Sequence, residues 1–266
     1  MKRVLHLSDL HFGRVRPELL EPLVETVNRL APDLVAISGD LTQRARHSQF
    51  REARAFIDRL RPPVLAVPGN HDAPLDNLPV RLLDPWARWR RHIGPELEPE
   101  LRLGELSAVG VNTADPLSWQ RGRIRRRAVS RVCRTLSEES ARLRVVVLHH
   151  PFIHREGEGK AVMRGAAAAL GRLAACGADV ALSGHLHSWR AEAWLGERGA
   201  AAGVLLVEAG TGLSTRQRDE PNDFNLLTLA PDRADVERWA ARPDGSAFDR
   251  LSLSRFRREG GSWMSV

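Results

Sequence analysis

Apolar residues along this chain keep switching between two spacings. Short, nearly unbroken apolar runs occur at Val4–Ser8 (VLHLS), Asp33–Ser38 (DLVAIS), Val64–Val67 (VLAV), Glu105–Val111 (ELSAVGV), Arg144–Leu148 (RVVVL) and Asp179–Ser183 (DVALS). Runs of this length with β-branched residues read as buried strands. Between them apolar positions recur at helical spacing, at Pro17–Ala31, Ser48–Leu60, near Ala128–Leu136 and at Val162–Cys176. Ser48 is the expected N-cap of the second helix. From Val204 onward several short strand candidates follow one another with turns between them. The alternation predicts α/β layering, with largely parallel pairing early and antiparallel strands late. No internal repeat or linker breaks it, and a single domain spanning residues 1–266 is expected.

Five of these strands end in polar residues of one kind: Ser8–His11 (SDLH), Ser38–Thr42 (SGDLT), Pro68–Asp72 (PGNHD), Leu148–Pro151 (LHHP) and Ser183–Ser188 (SGHLHS). The carboxyl ends of parallel strands line the ligand crevice of α/β folds, so the five loops are expected to converge. Six of the ten histidines lie in them: His11, His71, His149, His150, His185 and His187. Asp9 and His11 are two residues apart and can point to one side of the chain end, as can His185 and His187. Asp40 follows Gly39, whose missing side chain lets the loop come close, and its two oxygens could bridge two ions. Asn70, His71 and Asp72 are consecutive, so they point in different directions and cannot all do the same job. Taken singly, each has a bland reading as a structural histidine, a turn or a cap. Together they offer carboxylate, imidazole and amide groups with no thiolate, a mix that favours Mn, Fe or Zn.

Composition adds little. Hydrophobic content of 42% and charged content of 27% are ordinary for a soluble globular chain. The formal charge of +7 is carried almost wholly by arginine, Lys2 and Lys160 being the only lysines. The densest cluster, Arg121–Arg134, reads as a solvated face; no aromatic residues interleave to stack on bases, and nucleic acid is not the expected partner. No apolar run approaches the ~20 residues of a membrane span. The amino terminus lacks the look of a secretory signal. Cys133 and Cys176 suggest neither a disulfide framework nor a zinc knuckle, so a reducing cytoplasm is the default. Leu78–Gly94 mixes Leu and Trp with many arginines and is read as a helix docked on the core rather than an apolar lid. Phe248–Arg258 offers either a homodimer edge or the closing strand of a sheet.

The order D-x-H, G-D, G-N-H-D, H-H-P, G-H-x-H resembles the calcineurin-like metallophosphoesterase family over residues 5 to 190. The later stretch Ala209–Leu227 is similar to the bacterial branch containing class III cyclic-nucleotide phosphodiesterases. The resemblance implies a four-layer α/β/β/α sandwich of two mixed sheets and a binuclear site. Asp9, His11, Asp40 and His187 would hold one ion; Asp40, Asn70, His149 and His185 would hold the second. His149 is preferred in the H-H-P loop because the family's ligand stands two before the proline, with His150 the alternative. His71 would be the general acid facing the phosphate and the leaving oxygen, with Asp72 holding its ring. Thr211 and Arg216 would lie near the site. The implied activity is phosphodiester hydrolysis by in-line attack of a hydroxide shared between the ions, with 3′,5′-cyclic nucleotides first among small phosphodiesters. A broader phosphoesterase acting on nucleic acid or a lipid diphosphate is the alternative. A non-catalytic scaffold is set aside because every expected ligand is present.

Overall fold

The computed structural model describes residues 1–75, 77–137, 142–154, 158–196 and 203–266. The chain runs β1 (Lys2–Leu7), α1 (Leu20–Leu30), β2 (Leu34–Ile37), α2 (His47–Ile57), β3 (Val64–Ala66), α3 (Leu78–Leu83), α4 (Ala87–His92), β4 (Glu100–Leu103) and β5 (Leu106–Val111). It continues through α5 (Arg126–Leu136), β6 (Leu143–Leu148), α6 (Ala166–Ala175), β7 (Val180–Ser183), β8 (Arg190–Trp194), β9 (Val204–Glu208), β10 (Asp223–Leu229), β11 (Arg233–Ala241), β12 (Phe248–Glu259) and β13 (Ser262–Ser265).

The strands form two sheets. One has the order β13-β12-β11-β10-β1-β2-β3, the other β4-β5-β6-β7-β9-β8. Both are mixed. β1, β2 and β3 are parallel while β10 to β13 run antiparallel, and β5, β6, β7 and β9 are parallel between antiparallel edges β4 and β8.

The apolar runs are unbroken because both faces of the central strands are covered. In β1 and β2, Val4, Leu34 and Ala36 face the second sheet, whereas Leu5, Leu7, Val35 and Ile37 meet helices α1, α2 and α4. In β6, Val145 and Val147 enter the space between the sheets, while Val146 and Leu148 pack on α5 and α6. The period of two thus sorts each strand between two cores, giving four layers, α/β/β/α. Trp89 of α4 is fully buried beside Phe50 of α2. Deleting a ring so placed costs about 3–5 kcal/mol.

Three local expectations need correction. Ser48 is not the cap of α2, which begins one residue earlier. Gln49, in the first turn, reaches back so that its Oε1 accepts from the backbone N–H groups of Arg44 (2.9 Å) and of the capping residue Arg46 (3.4 Å). Leu78–Gly94 is two short helices, of which only α4 docks on the core; α3 leaves its leucines exposed. Cys133 and Cys176, read as unpaired, form a disulfide that joins α5 to the end of α6. Phe248–Arg258 lies in β12, which pairs with β11 along one side and with β13 only at Phe256–Glu259 on the other, so Phe248–Ser254 forms an edge of the sheet. No helix among the described residues is long and apolar enough to cross a membrane.

Candidate metal centre

The five strand ends do converge. Asp9 and His11 follow β1, Asp40 follows β2, Asn70 begins a 3₁₀ turn (Asn70–Asp72) after β3, His149 follows β6, and His185 and His187 follow β7. All seven side chains are buried. Close approach depends on glycine. Gly39 has φ +99°, and a Cβ there would stand 2.8 Å from His149 Nδ1. A Cβ on Gly184 would overlap Ser8 Oγ and Asp9 Oδ2. Asp9, His11, Asp40, His185 and His187 themselves adopt left-handed backbone, φ between 51° and 72°. Residues other than glycine pay for that conformation, and it gathers at functional sites.

Hydrogen bonds aim the donors inward. His149 Nδ1 donates to Ser38 O (2.8 Å) and His187 Nδ1 to Arg216 O (2.8 Å), so in each neutral ring Nε2 carries the free lone pair. Asp9 Oδ2 accepts from Ser8 Oγ and from the His185 N–H. Its other oxygen, Oδ1, is buried with no hydrogen-bond partner, 3.1 Å from His187 Nε2 and 3.5 Å from His11 Nε2. A buried carboxylate oxygen so placed needs positive charge against it, as a proton on a ring or as a cation between the three atoms. Asp40 Oδ2 lies 3.8 Å from His11 Nε2 and 3.4 Å from His149 Nε2, between the two groups of donors. Asn70 Oδ1 closes the second group, 3.1 Å from His149 Nε2.

Electrostatics say the same. Burial would raise the carboxyls of Asp9 and Asp40. The histidines outweigh it, His187 foremost for Asp9 and His149 for Asp40, and hold both well below the usual range. Burial lowers His149, yet the charge on Asp40 prevails and pushes it up to about 9. The carboxylates therefore demand positive charge at the point where the rings converge, and the donor set fits metal ions there.

Two nearby histidines have both ring nitrogens bonded to groups outside the two donor clusters. His150 lies within ligand distance of His149 and His185, but its Nδ1 is 2.9 Å from Thr113 Oγ1 and its Nε2 3.0 Å from Gln120 O. These two bonds tie it to the loop carrying Gln120. His71 is engaged likewise: Nδ1 donates to Gln43 O (2.9 Å), and Nε2 accepts from Arg216 Nη1 (2.9 Å). Burial brings its pKa down to about 4, so the ring is neutral at pH 7 rather than the standing acid expected from the motif.

Asp72 does not hold the His71 ring. It accepts from the backbone N–H groups of Leu41, Thr42 and Gly69 and from Thr42 Oγ1, pinning the Asp40 loop to the Asn70 loop. Burial, then the charge on Asp40, pushes its pKa up to about 7. Asp72→Asn is expected to face one of these donors with an NH₂ group and to cost ~2–4 kcal/mol. Thermal denaturation reads this directly; an unchanged melting temperature would show that the two loops do not need the brace.

The donors open into a cleft of about 560 Å³ rimmed by Gln120, Lys160, Arg216 and Arg218. Lys160 and Arg216 form no ion pair among the described residues; Arg218 faces Glu158 at 3.6 Å. Lys160, anchored by Nζ donation to His185 O, stood out in the sequence only as one of two lysines. Arg216 reaches the site as expected. Thr211 does not: it is buried and bonded to Asn222.

A cluster of carboxylates and imidazoles at the strand ends of two face-to-face sheets defines the class of metal-dependent phosphoesterases. Residues 2–189 match the model of the calcineurin-like phosphoesterases, and the chain belongs to that family. It is 28% identical over 258 residues to the cAMP/cGMP dual specificity phosphodiesterase of Mycobacterium tuberculosis (strain CDC 1551 / Oshkosh), covering 86% of this chain and 76% of the relative. It is 35% identical over 78 residues to the glycerophosphodiester phosphodiesterase GpdQ of Enterobacter lignolyticus (strain SCF1), a match spanning 25% of this chain and only 28% of that one. Among solved structures, the fold is similar to that of the purple acid phosphatase PPD1 from yellow lupin (Lupinus luteus) seeds. The TM-score is 0.67 at 14% identity, over 97% of this chain and 54% of the lupin one.

Proposed function

We propose that this protein hydrolyses small phosphodiesters with two metal ions, Mn, Fe or Zn. The observation that carries the reading is the position of Asp40 Oδ2 between two groups of inward-facing donors. Asp9, His11, Asp40 and His187 would hold one ion, and Asp40, Asn70, His149 and His185 the other. When bound, the ions supply a nucleophile from water at neutral pH and neutralise charge on the phosphoryl oxygens. The chain's own groups do the rest. Arg216 and Lys160 bring unpaired positive charge to the cleft and orient the phosphate anion. His71, its ring fixed by Gln43 O, would serve the departing oxygen through Nε2, which accepts from Arg216 here and has to take up a proton before it can pass one on. Asp72 keeps the Asp40 and Asn70 loops in register.

3′,5′-cyclic nucleotides are the first substrates of this reading, in line with the relative that aligns over most of the chain. Glycerophosphodiesters are the second, because among the described residues the cleft is lined by charged, amide and imidazole side chains without Phe, Trp or aliphatic residues, which suits hydroxyl groups better than a stacked base. A cytoplasmic setting remains part of the reading, although the Cys133–Cys176 bond removes the cysteine argument for it.

Chelated protein should be inert toward bis-p-nitrophenyl phosphate and regain turnover with Mn or Zn. A panel of cyclic AMP, 2′,3′-cyclic nucleotides and glycerophosphodiesters then separates the two substrate classes. Turnover that survives chelation, or none on reloading with metal, would refute the two-metal reading.

A further inference from the structure

Ten large apolar side chains stand exposed among the described residues, and five of them fall on two neighbouring stretches. Leu78 (56% exposed), Leu82 (64%) and Leu83 (86%) belong to α3; Leu117 (78%) and Trp119 (59%) lie in the loop after β5. Arg81 ties the stretches together. Its buried guanidinium donates to Pro116 O (2.7 Å) and Ser118 O (2.9 Å) and lies over the Trp119 ring, 5.3 Å from its centre. Both stretches adjoin the metal cleft: α3 follows the Asn70–Asp72 turn, and Gln120, which lines the cleft, is the neighbour of Trp119.

The surroundings of this patch are basic. Residues 77–94 and 114–127 hold nine arginines against Asp84 and Asp115, a formal +7 that equals the charge of the whole chain. Arg123, Arg125 and Arg127 line a cavity of about 520 Å³ whose walls include Trp86, just past α3, and Pro116, next to Leu117. Arg125, Arg126 and Arg127 form no ion pair among the described residues. Of the acids in that wall, Asp115 faces Arg123 and Glu98 faces Arg131, which leaves Glu96.

An exposed apolar patch with a basic collar fits a surface that is apolar within and negative at its face. A second copy of this chain is a poor fit, because two such collars would repel. We propose that α3 and the loop after β5 seat the protein on an anionic lipid bilayer, with the metal cleft opening at the edge of the contact. The seat does not depend on which phosphodiester the cleft takes.

Sedimentation of the full chain with vesicles tests this. Phosphatidylcholine vesicles carrying about 30% phosphatidylglycerol should capture the protein at roughly 0.1 M salt, pure phosphatidylcholine vesicles should not, and roughly 1 M salt should release it. The double variant Leu82→Ser/Leu83→Ser and, separately, Arg125→Glu/Arg127→Glu should each lower the bound fraction roughly tenfold. Turnover of a soluble phosphodiester should stay unchanged in both. Equal capture by neutral vesicles, no capture by anionic ones, or variants that bind like the parent would overturn the proposal. So would a concentration-dependent dimer that Leu82→Ser/Leu83→Ser turns into a monomer, which would give the patch to a second copy.

Discussion

Asp40→Ala is expected to empty both metal positions at once and to lower phosphodiester turnover by at least ~10³-fold. The reason is geometric. Asp40 Oδ2 faces both His11 and His149, whereas the free oxygen of the other carboxylate, Asp9, stands nearest His187 (3.1 Å) and His11 (3.5 Å). Removing Asp40 takes away the shared anion and leaves two groups of imidazoles with little negative charge between them. Asp9→Ala should instead leave the second position able to bind. Metal content per chain by elemental analysis, measured beside kcat, separates the two cases. Two ions retained in Asp40→Ala would rule out the shared role. Asp40 also accepts the His71 N–H through Oδ1 (2.8 Å), so Asp40→Asn, which keeps an acceptor oxygen, guards against a simple loss of loop structure.

His71→Ala is expected to keep both ions and still lose ~10²- to 10⁴-fold in rate, the usual weight of positioned proton transfer. The ions are expected to stay because Gln43 O and Arg216 occupy its two nitrogens. On the proposed reading its work is tied to the leaving group. An alkoxide departs badly without a proton and p-nitrophenolate departs well, so the loss should be large for an alkyl diester and small for bis-p-nitrophenyl phosphate. An equal loss on both substrates would take His71 out of leaving-group protonation, and a loss of metal would make it a ligand after all.

The strands were legible where both faces are buried. β1, β2, β6 and β7 show as apolar runs because each side chain meets a core on one side or the other. β8 was not legible: Arg190–Trp194 is an edge strand whose residues are mostly half-buried, and RAEAW carries no such run. Nor was the disulfide, since 43 residues separate the cysteines and only the packing of α5 on α6 brings them together. In the site, strand-end spacing placed all seven candidate ligands. It could not tell Asn70, His71 and Asp72 apart, because a 3₁₀ turn decides where each points. The resemblance preferred His149 to His150, but what sets the two apart physically is partners far away in sequence, Ser38 for one and Thr113 and Gln120 for the other. Lys160 follows a glycine- and glutamate-rich stretch with no pattern to mark it.

The left-handed backbone at Asp9, His11, Asp40, His185 and His187 sets catalysis against durability. Each such residue costs the native state about 1 kcal/mol or more, and a glycine in its place would be relieved of that cost. Several such relieved positions are a sizeable share of the ~5–15 kcal/mol that holds a typical domain together. Natural drift away from activity would therefore be rewarded with heat resistance, and a stability screen run without an activity screen would select dead enzymes at these very positions.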